Sequence, residues 1–297
     1  MKNIEKVKDL YEKGCGVVEI GKMLNMYPSN VAMYLNKIYG KDRVRDRHIV
    51  INRKYKLNDK YFKKIDSEDK SYFLGLLYAD GYISSTSNAV QISLQEEDKY
   101  ILEQFSVFIE STKPLRLLKG GKIKGFKEAE KEYYRRNQYI MVINSPRIKS
   151  QLLNLGITPN KSLTINFPHC IDEHLISHFI RGYFDGDGGI YGYSKNKWEV
   201  SIAGNKNFTE GLLNYLLSKG IKCRKTKHHK NNVYYVRITG RLNCIDLYNL
   251  MYSDSNIFLI RKYSKFQECI NSTKNVRNGN SWKKEDWINC RYGSSAY

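Results

Sequence analysis

No run of eighteen consecutive apolar residues occurs in the chain, so no segment is fit to cross a bilayer as a helix. The opening residues, Met1-Lys-Asn-Ile-Glu-Lys-Val-Lys-Asp9, are charged and lack the apolar core of a secretion signal, so a cytoplasmic or nucleoid setting is expected. Low-complexity tracts are missing as well. The six cysteines (Cys15, Cys170, Cys223, Cys244, Cys269 and Cys290) are scattered without a C-x-x-C pair, which argues against a zinc site or a disulfide framework. No phosphate-binding P-loop occurs, and neither does H-E-x-x-H. His169, Glu173 and His174 miss H-x-x-E-H by one residue, while His174 and His178 share a helical face and read as structural. Asp185-Gly-Asp-Gly-Gly189 starts like a calcium loop. However, Ile190 stands at its sixth place and Asn196 at its twelfth, where Gly and Glu are required.

Acidic residues are also scarce: 30 Asp and Glu face 50 Lys and Arg, for a net charge of +20. Such an excess draws a protein to phosphate through a sequence-independent, salt-sensitive attraction, and with no basic amphipathic anchor in evidence the expected partner is nucleic acid rather than membrane. The 24 tyrosines interleaved with the basic residues suit a phosphate-contacting surface, although many must serve as core or strand residues. A chain of 297 residues can bury a substantial core and points to two or three units.

One stretch organises the rest. Tyr72-Phe-Leu-Gly-Leu-Leu-Tyr-Ala-Asp-Gly-Tyr82 recurs as Phe179-Ile-Arg-Gly-Tyr-Phe-Asp-Gly-Asp-Gly-Gly189, with 187 − 80 = 107 residues between the aligned aspartates. Each copy has acids before or in its first turn, small residues four apart (Gly75 and Ala79; Gly182 and Gly186) and a closing Asp-Gly, which are helix start and stop signals. Glycine inside a helix costs about 1 kcal/mol relative to alanine and needs a reason. Small residues at i and i+4 let a second helix backbone come close, so the two copies are expected to pack on each other. Asp80 and Asp187 would then sit side by side at the negative ends of two helices, a natural place for a divalent metal.

Both stretches resemble the signature helix of LAGLIDADG homing endonucleases. Phe73-Leu-Gly-Leu-Leu-Tyr-Ala-Asp-Gly81 and Ile180-Arg-Gly-Tyr-Phe-Asp-Gly-Asp-Gly188 align without a gap, and the family's metal-binding acids fall on Asp80 and Asp187. The resemblance implies an α+β chain of two pseudo-symmetric halves, each in the order αββαββα, whose antiparallel sheets form a saddle over DNA above the paired helices. It also implies Mg2+ as cofactor, with the backbone of Ala79 and Gly186 as further ligand candidates. In related enzymes, particularly those carried in inteins, a lysine after each half's closing helix reaches the active site. Lys161 in Thr158–Pro168 and Lys262 in Asn256–Ser264 match it.

Taken in order, residues 1–40 read as a helix-turn-helix, with Ile20, Leu24, Val31 and Leu35 as its core and Pro28 in the first turn of its third helix. Tyr27 stands at the N-cap, where Ser or Thr is usual. That third helix would present Ser29, Asn30, Met33, Asn36 and Lys37 to a major groove. Residues 41–66 read as a basic linker, 67–168 and 169–272 as the two halves, and 273–297, with Trp282 and Trp287, as a basic tail.

In the first half, hairpin strands are expected at Tyr82–Ser85 and Ala89–Leu94, a helix at Asp98–Ile109, a turn at Gly120-Gly121, a strand at Gln138–Ile143 and a helix at Pro146–Leu155 closed by Gly156. The second half retraces these steps. Gln91, Ser93, Lys122, Lys124, Arg135, Arg224, Lys225, Lys227 and Arg237 are the DNA-contact candidates of the sheets. Together these features point to a free-standing, monomeric endonuclease that cuts both strands of a long, asymmetric target, with catalysis assigned to Asp80, Asp187, Lys161 and Lys262. The chain lacks intein splicing ends, opening with Met1 and closing with Ala296-Tyr297. A non-cleaving transcriptional regulator and an intron RNA maturase on the same scaffold are the alternatives.

Overall fold

A computed structural model of the chain describes residues 2–13, 15–40, 54–124, 132–195, 197–229 and 231–272. Half of the expected linker (41–53) and the whole expected tail lie outside the described residues, as does the side chain of Lys124. The chain divides into two units, residues 1–58 with 110–113, and the remainder.

In the first unit, α1 (Lys2–Glu12), α2 (Val17–Met23) and α3 (Pro28–Tyr39) close around Val7, Tyr11, Ile20, Val31 and Leu35, with Leu24 packed at the margin. The Glu19 carboxylate accepts from the backbone N–H of Gly16, occupying one of the donors that a helix start leaves open. Pro28 opens α3, and Tyr27 before it offers no side-chain cap. Ser29, Asn30, Met33 and Lys37 are exposed along α3, whereas Asn36 is half-buried.

The second unit is built on α4 (Glu68–Asp80) and α7 (Glu173–Asp187), the two signature stretches. Each runs directly into a strand. In the first half, β1 (Gly81–Ile83), β2 (Ala89–Gln95), β3 (Arg116–Leu118) and β6 (Gln138–Asn144) form an antiparallel sheet in the order β1-β2-β6-β3. In the second, β7 (Gly188–Ser194), β8 (Lys197–Gly204), β9 (Arg224–Lys227) and β10 (Tyr234–Thr239) form the order β7-β8-β10-β9. Helices α5 (Lys99–Phe108) and α6 (Pro146–Asn154) belong to the first half. The second has α8 (Lys206–Ser218), α9 (Arg241–Tyr252) and a further helix, α10 (Ile260–Asn271), where the sequence suggests a connector. The halves also differ in that β4 (Gly121–Lys124) and β5 (Glu132–Arg135) pair as a separate two-stranded ribbon between β3 and β6.

The alternation of burial follows the strand period: Val90, Ile92 and Leu94 on β2 and Val200 and Ile202 on β8 are buried, with half-exposed residues between them. Gly156, at φ +97°, ends α6, and a side chain there would strike the hydroxyl of Tyr78. The glycines after the two aspartates act differently from the stop signal read in the sequence. Gly81 and Gly188 are extended (φ −71° and −103°) rather than left-handed. They are required because an added Cβ would lie 2.4 Å from the Leu77 carbonyl oxygen and 2.1 Å from the Phe184 ring.

Helices α4 and α7 touch backbone to backbone. A Cβ on Gly75 would fall 2.0 Å from the Phe179 carbonyl oxygen, one on Gly182 1.9 Å from that of Tyr72, and one on Gly186 2.3 Å from the Ala79 Cβ. No rotamer change relieves a clash with a carbonyl, so the helices must separate or bend. Gly75→Ala and Gly182→Ala are each expected to destabilise the second unit by about 3 kcal/mol or more, at or beyond the upper end of ordinary overpacking. Denaturant unfolding of the full chain checks this, and a loss under about 1 kcal/mol contradicts so close an approach.

Candidate active site at the paired helix ends

The close approach brings the C-terminal ends of α4 and α7 together, and Asp80 and Asp187 are their last residues. The Asp80 Oδ2 lies 3.1 Å from where a Cβ on Gly186 would stand, so glycine there makes room for the partner helix's carboxylate. Both aspartates are exposed residues on helices whose preceding turns are largely buried. Burial, then repulsion from Asp187, raises the Asp80 carboxyl to about 6, against the pull of Lys262, Lys161 and Arg261. Asp187 is raised by burial and held back by Lys161, Lys262 and the Tyr183 hydroxyl. That hydroxyl is 2.9 Å from the Ala203 carbonyl oxygen and also faces Asp187, and its single proton can serve one of them at a time.

The two lysines singled out by the resemblance reach these ends. Lys161, 8% exposed, donates to the carbonyls of Tyr78 (2.8 Å) and Ala79. Lys262, 6% exposed, donates to Phe184 (2.6 Å), Asp185 (2.7 Å), Gly186 (3.4 Å) and Gly188 (2.6 Å). Under the 107-residue repeat, Tyr78 and Ala79 correspond to Asp185 and Gly186, so the two lysines share two equivalent carbonyls on their own halves, and Lys262 reaches Phe184 and Gly188 besides. An ammonium there satisfies carbonyls with no partner in the helix and offsets the helix dipole where a carboxylate is least welcome. The Ala79 and Gly186 carbonyls, read in the sequence as metal-ligand candidates, are thus already hydrogen-bond acceptors. Burial lowers both ammonium groups, Lys262 to about 8 with Arg261 acting in the same direction, while nearby aspartates oppose the shift.

Beneath the site lies a polar network that sequence reasoning missed. Arg181, fully buried in α7, donates to the carbonyls of Ile257 (2.7 Å) and Met251 (2.6 Å) and to Glu68 Oε1 (2.8 Å). Glu68 also accepts from the backbone N–H of Asn256 (2.5 Å) and Ile257 (3.2 Å). Asp185, 1% exposed, accepts at Oδ2 from the Tyr72 hydroxyl and the Leu259 N–H, both at 2.7 Å. An Arg and an Asp inside an otherwise apolar helix was the available signal, since buried charges require partners.

The sheet candidates divide by face. Gln91, which pairs with Tyr82, and Ser93 lie opposite the buried positions of β2, and Arg116 joins that row through Ile140. Arg224 and Arg237 are cross-strand partners on the corresponding face of the second sheet, where Arg237 also bonds Glu199 and Thr226. Lys225 pairs in register with the buried Val236, so the pleat carries it to the helix-covered side, where it forms an ion pair with Glu210 of α8. Lys227 follows it there, 5.9 Å over the Tyr234 ring. The sequence list therefore merges two faces; Arg116, on the open one, was not in it. Lys122 and Arg135 are exposed on the ribbon, and Lys124 has only its backbone described.

The architecture is α+β, two αβ halves joined through the paired helices α4 and α7. Residues 175–250 match the model of the LAGLIDADG-like domain. It is 29% identical over 173 residues to the replication factor C small subunit of Methanocaldococcus jannaschii, covering 57% of this chain and 8% of that protein. A second match, 31% over 130 residues, is to the probable translation initiation factor IF-2 of the same organism, covering 39% and 11%. The matched stretches are thus a small part of either relative's length. Among solved structures, meganuclease I-SmaMI bound to uncleavable DNA superposes with a TM-score of 0.45 at 11% identity, covering 68% of this chain and 89% of that one.

The electrostatics of Asp80 carry a stability consequence. Its carboxyl titrates near 6 in the fold and at about 3.9 in an unfolded chain, so the folded state holds the proton more tightly. The resulting destabilisation is full above pH 6 and is relieved as pH falls through 6 towards about 4. In the absence of metal, Asp80→Asn is therefore expected to melt higher than the parent at about pH 8, with the difference closing towards about pH 5. Calorimetry across that range checks it; a variant that melts lower, or a gap independent of pH, contradicts the assigned environment.

Proposed function

We propose that the chain is a site-specific double-strand DNA endonuclease of the homing type, hydrolysing phosphodiester bonds with a divalent metal held between Asp80 and Asp187. One observation carries this reading: two carboxylates, one from each half, meet at the negative ends of close-packed helices with a buried lysine behind each. The arrangement raises both carboxyl groups and weakens the fold, and a protein that only binds DNA gains nothing from it.

The donor set suits a hard cation. Among the described residues no group of three His, Cys, Asp or Glu side chains converges, which leaves the rest of a coordination shell to water and phosphate oxygens, the usual habit of Mg2+ on phosphate substrates. Asp80 and Asp187 would hold such an ion, which would supply Lewis-acid charge at the scissile phosphate and lower the pKa of water. The chain's own groups do the remainder. Lys161 and Lys262 fix the two helix ends and place positive charge where negative charge gathers on the phosphate. Arg116, Arg224, Arg237, Gln91 and Ser93 offer donors from the open sheet faces. Because the two faces carry different residues, the target they fit is asymmetric, and each half serves one strand. The exposed row of α3, Asn30 foremost, fits a major groove.

Asp80→Asn and Asp187→Asn are each expected to reduce double-strand cleavage by more than the about 10–100-fold that loss of an outer-sphere partner costs, with DNA affinity nearly unchanged. Sequences cleaved from a random duplex library, with Mg2+ present or withheld, provide the substrate. Wild-type rates in either variant overturn the assignment.

Asn30→Ala is expected to weaken binding to that selected duplex by about 1–3 kcal/mol. Unchanged affinity across several sequences and salt concentrations would discard the groove contact.

A further inference from the structure

Each active-site lysine sits on a segment outside the signature helices, and each segment is gripped by the opposite half. Helix α10, which carries Lys262, starts after Leu259, whose side chain gives no cap. Its Ile260 N–H donates instead to the hydroxyl of Tyr100 (2.6 Å), which itself donates to the Phe258 carbonyl (3.1 Å). Next in the chain, the Nε of Arg261 lies 2.9 Å from Oδ2 of Asp98, a carboxylate side chain only 4% exposed. Asp98 and Tyr100 stand at the corner between β2 and α5 in the first half, whereas Lys262 belongs to the second.

The reverse grip is made by Asn205, at the corner between β8 and α8 in the second half. Its Nδ2 donates to the Ile165 carbonyl (2.8 Å), in the segment that carries Lys161. The Ile165 N–H donates to the Lys161 carbonyl (3.0 Å), so the contact passes to the lysine through a single hydrogen-bonded turn. Meanwhile Oδ1 of Asn205 caps α8 by accepting from the Phe208 N–H (2.9 Å), which fixes the direction of the amide. The two corners are repeat equivalents: 205 − 98 = 107, the spacing that also relates the two aspartates. Two residues of different type at one repeat position thus make the same cross-half connection, one through a charged pair and the other through a neutral hydrogen bond.

We propose that Asp98 and Asn205 are positioning residues through which each half sets the active-site lysine of the other. The proposal rests on the nuclease reading for its effect on cleavage, but the grip itself is a property of the fold. Asp98 therefore governs the end of α7 through Arg261 and Lys262, and Asn205 governs the end of α4 through Lys161. A defect in one grip slows one strand and spares the other, an outcome that general loosening of the structure does not produce.

The test uses full-length Asp98→Asn and Asn205→Asp. Asp98→Asn preserves shape and removes the charge opposite Arg261. Asn205→Asp keeps a good helix cap and removes the donor to Ile165. On a duplex from the cleavage selection, each labelled on one strand in turn, the two variants are expected to slow opposite strands by roughly tenfold. The exchange Asp98→Arg with Arg261→Asp restores the lost rate. In parallel, reductive methylation read by mass spectrometry reports each lysine without any cleavage: Asp98→Asn speeds labelling of Lys262 alone and Asn205→Asp that of Lys161 alone. If both variants slow both strands equally, or neither alters strand rates, the proposal fails. Should the wild-type protein cleave nothing with Mg2+ or Mn2+, the nuclease reading fails, and the lysine labelling still decides the grip: unchanged or non-selective labelling overturns it.

Discussion

The contact of two helix backbones at Gly75 and Gly182 is the constraint on which the rest of the second unit depends. With a carbonyl oxygen seated where each missing Cβ would be, α4 and α7 have one axial register and one separation open to them. Their C-terminal ends then coincide, and the final carboxylates are brought together against two helix dipoles and each other's charge. Separating the helices by the width of a methyl group would relieve that repulsion and also abolish the site. A destabilising electrostatic arrangement is therefore kept in place by the packing of the two helices, a common condition of functional sites.

The lysines limit the cost without pairing directly with the carboxylates. Each ammonium bonds backbone carbonyls of the last turn rather than forming a direct ion pair with Asp80 or Asp187. A direct pair would hold the carboxylate low and occupy its oxygens. Placed behind the helix end, the same charge acts through a few ångströms of protein and leaves the outward oxygens open. The underlying network shows how these placements are secured. At one repeat position Tyr78 donates to the Leu155 carbonyl, and at the other Asp185 accepts from the Leu259 N–H. Opposite hydrogen-bonding partners thus tie each signature helix to the chain that leads to its lysine. Arg181, where the first copy has Leu74, then neutralises Glu68 and donates to the Met251 carbonyl in the last turn of α9.

Much of this was legible in the sequence because it rests on periodicities. The repeat of 107 residues, the small residues four apart, the alternation of the strands and the terminal Asp-Gly pairs are sequence patterns, and the signature helices and the strands β1, β2, β6, β8 and β10 fall where those patterns put them, whereas α10 does not. The lysines were legible only through family resemblance, since nothing in their spacing indicates which carbonyls they reach. The network of Arg181, Asp185, Glu68 and Tyr72 was hidden for the opposite reason: its partners are backbone groups and side chains 70 to 190 residues away in the chain, a separation that no local pattern encodes. The two faces of the second sheet were merged because a run such as Arg224-Lys225-Thr226-Lys227 is basic throughout. Only the pairing of Lys225 with Val236 reveals which members turn inward.

The pseudo-symmetry is consequently strict where backbones meet and loose everywhere else. Gly75 and Gly182 perform one steric task and Asp80 and Asp187 one electrostatic task, so neither pair tolerates divergence. By contrast, Asp98 and Asn205 have diverged in type while keeping a connection, and among the described residues the β4–β5 ribbon has no counterpart in the second half. A single polypeptide can support this division because its two sheets are free to acquire different outward residues while the shared helix interface remains fixed. In a homodimer any change to an outward face would appear twice and a symmetric target would follow. Joining the halves in one chain removes that coupling, and the differences between the Gln91–Ser93–Arg116 and Arg224–Arg237 faces are the physical form that freedom takes here.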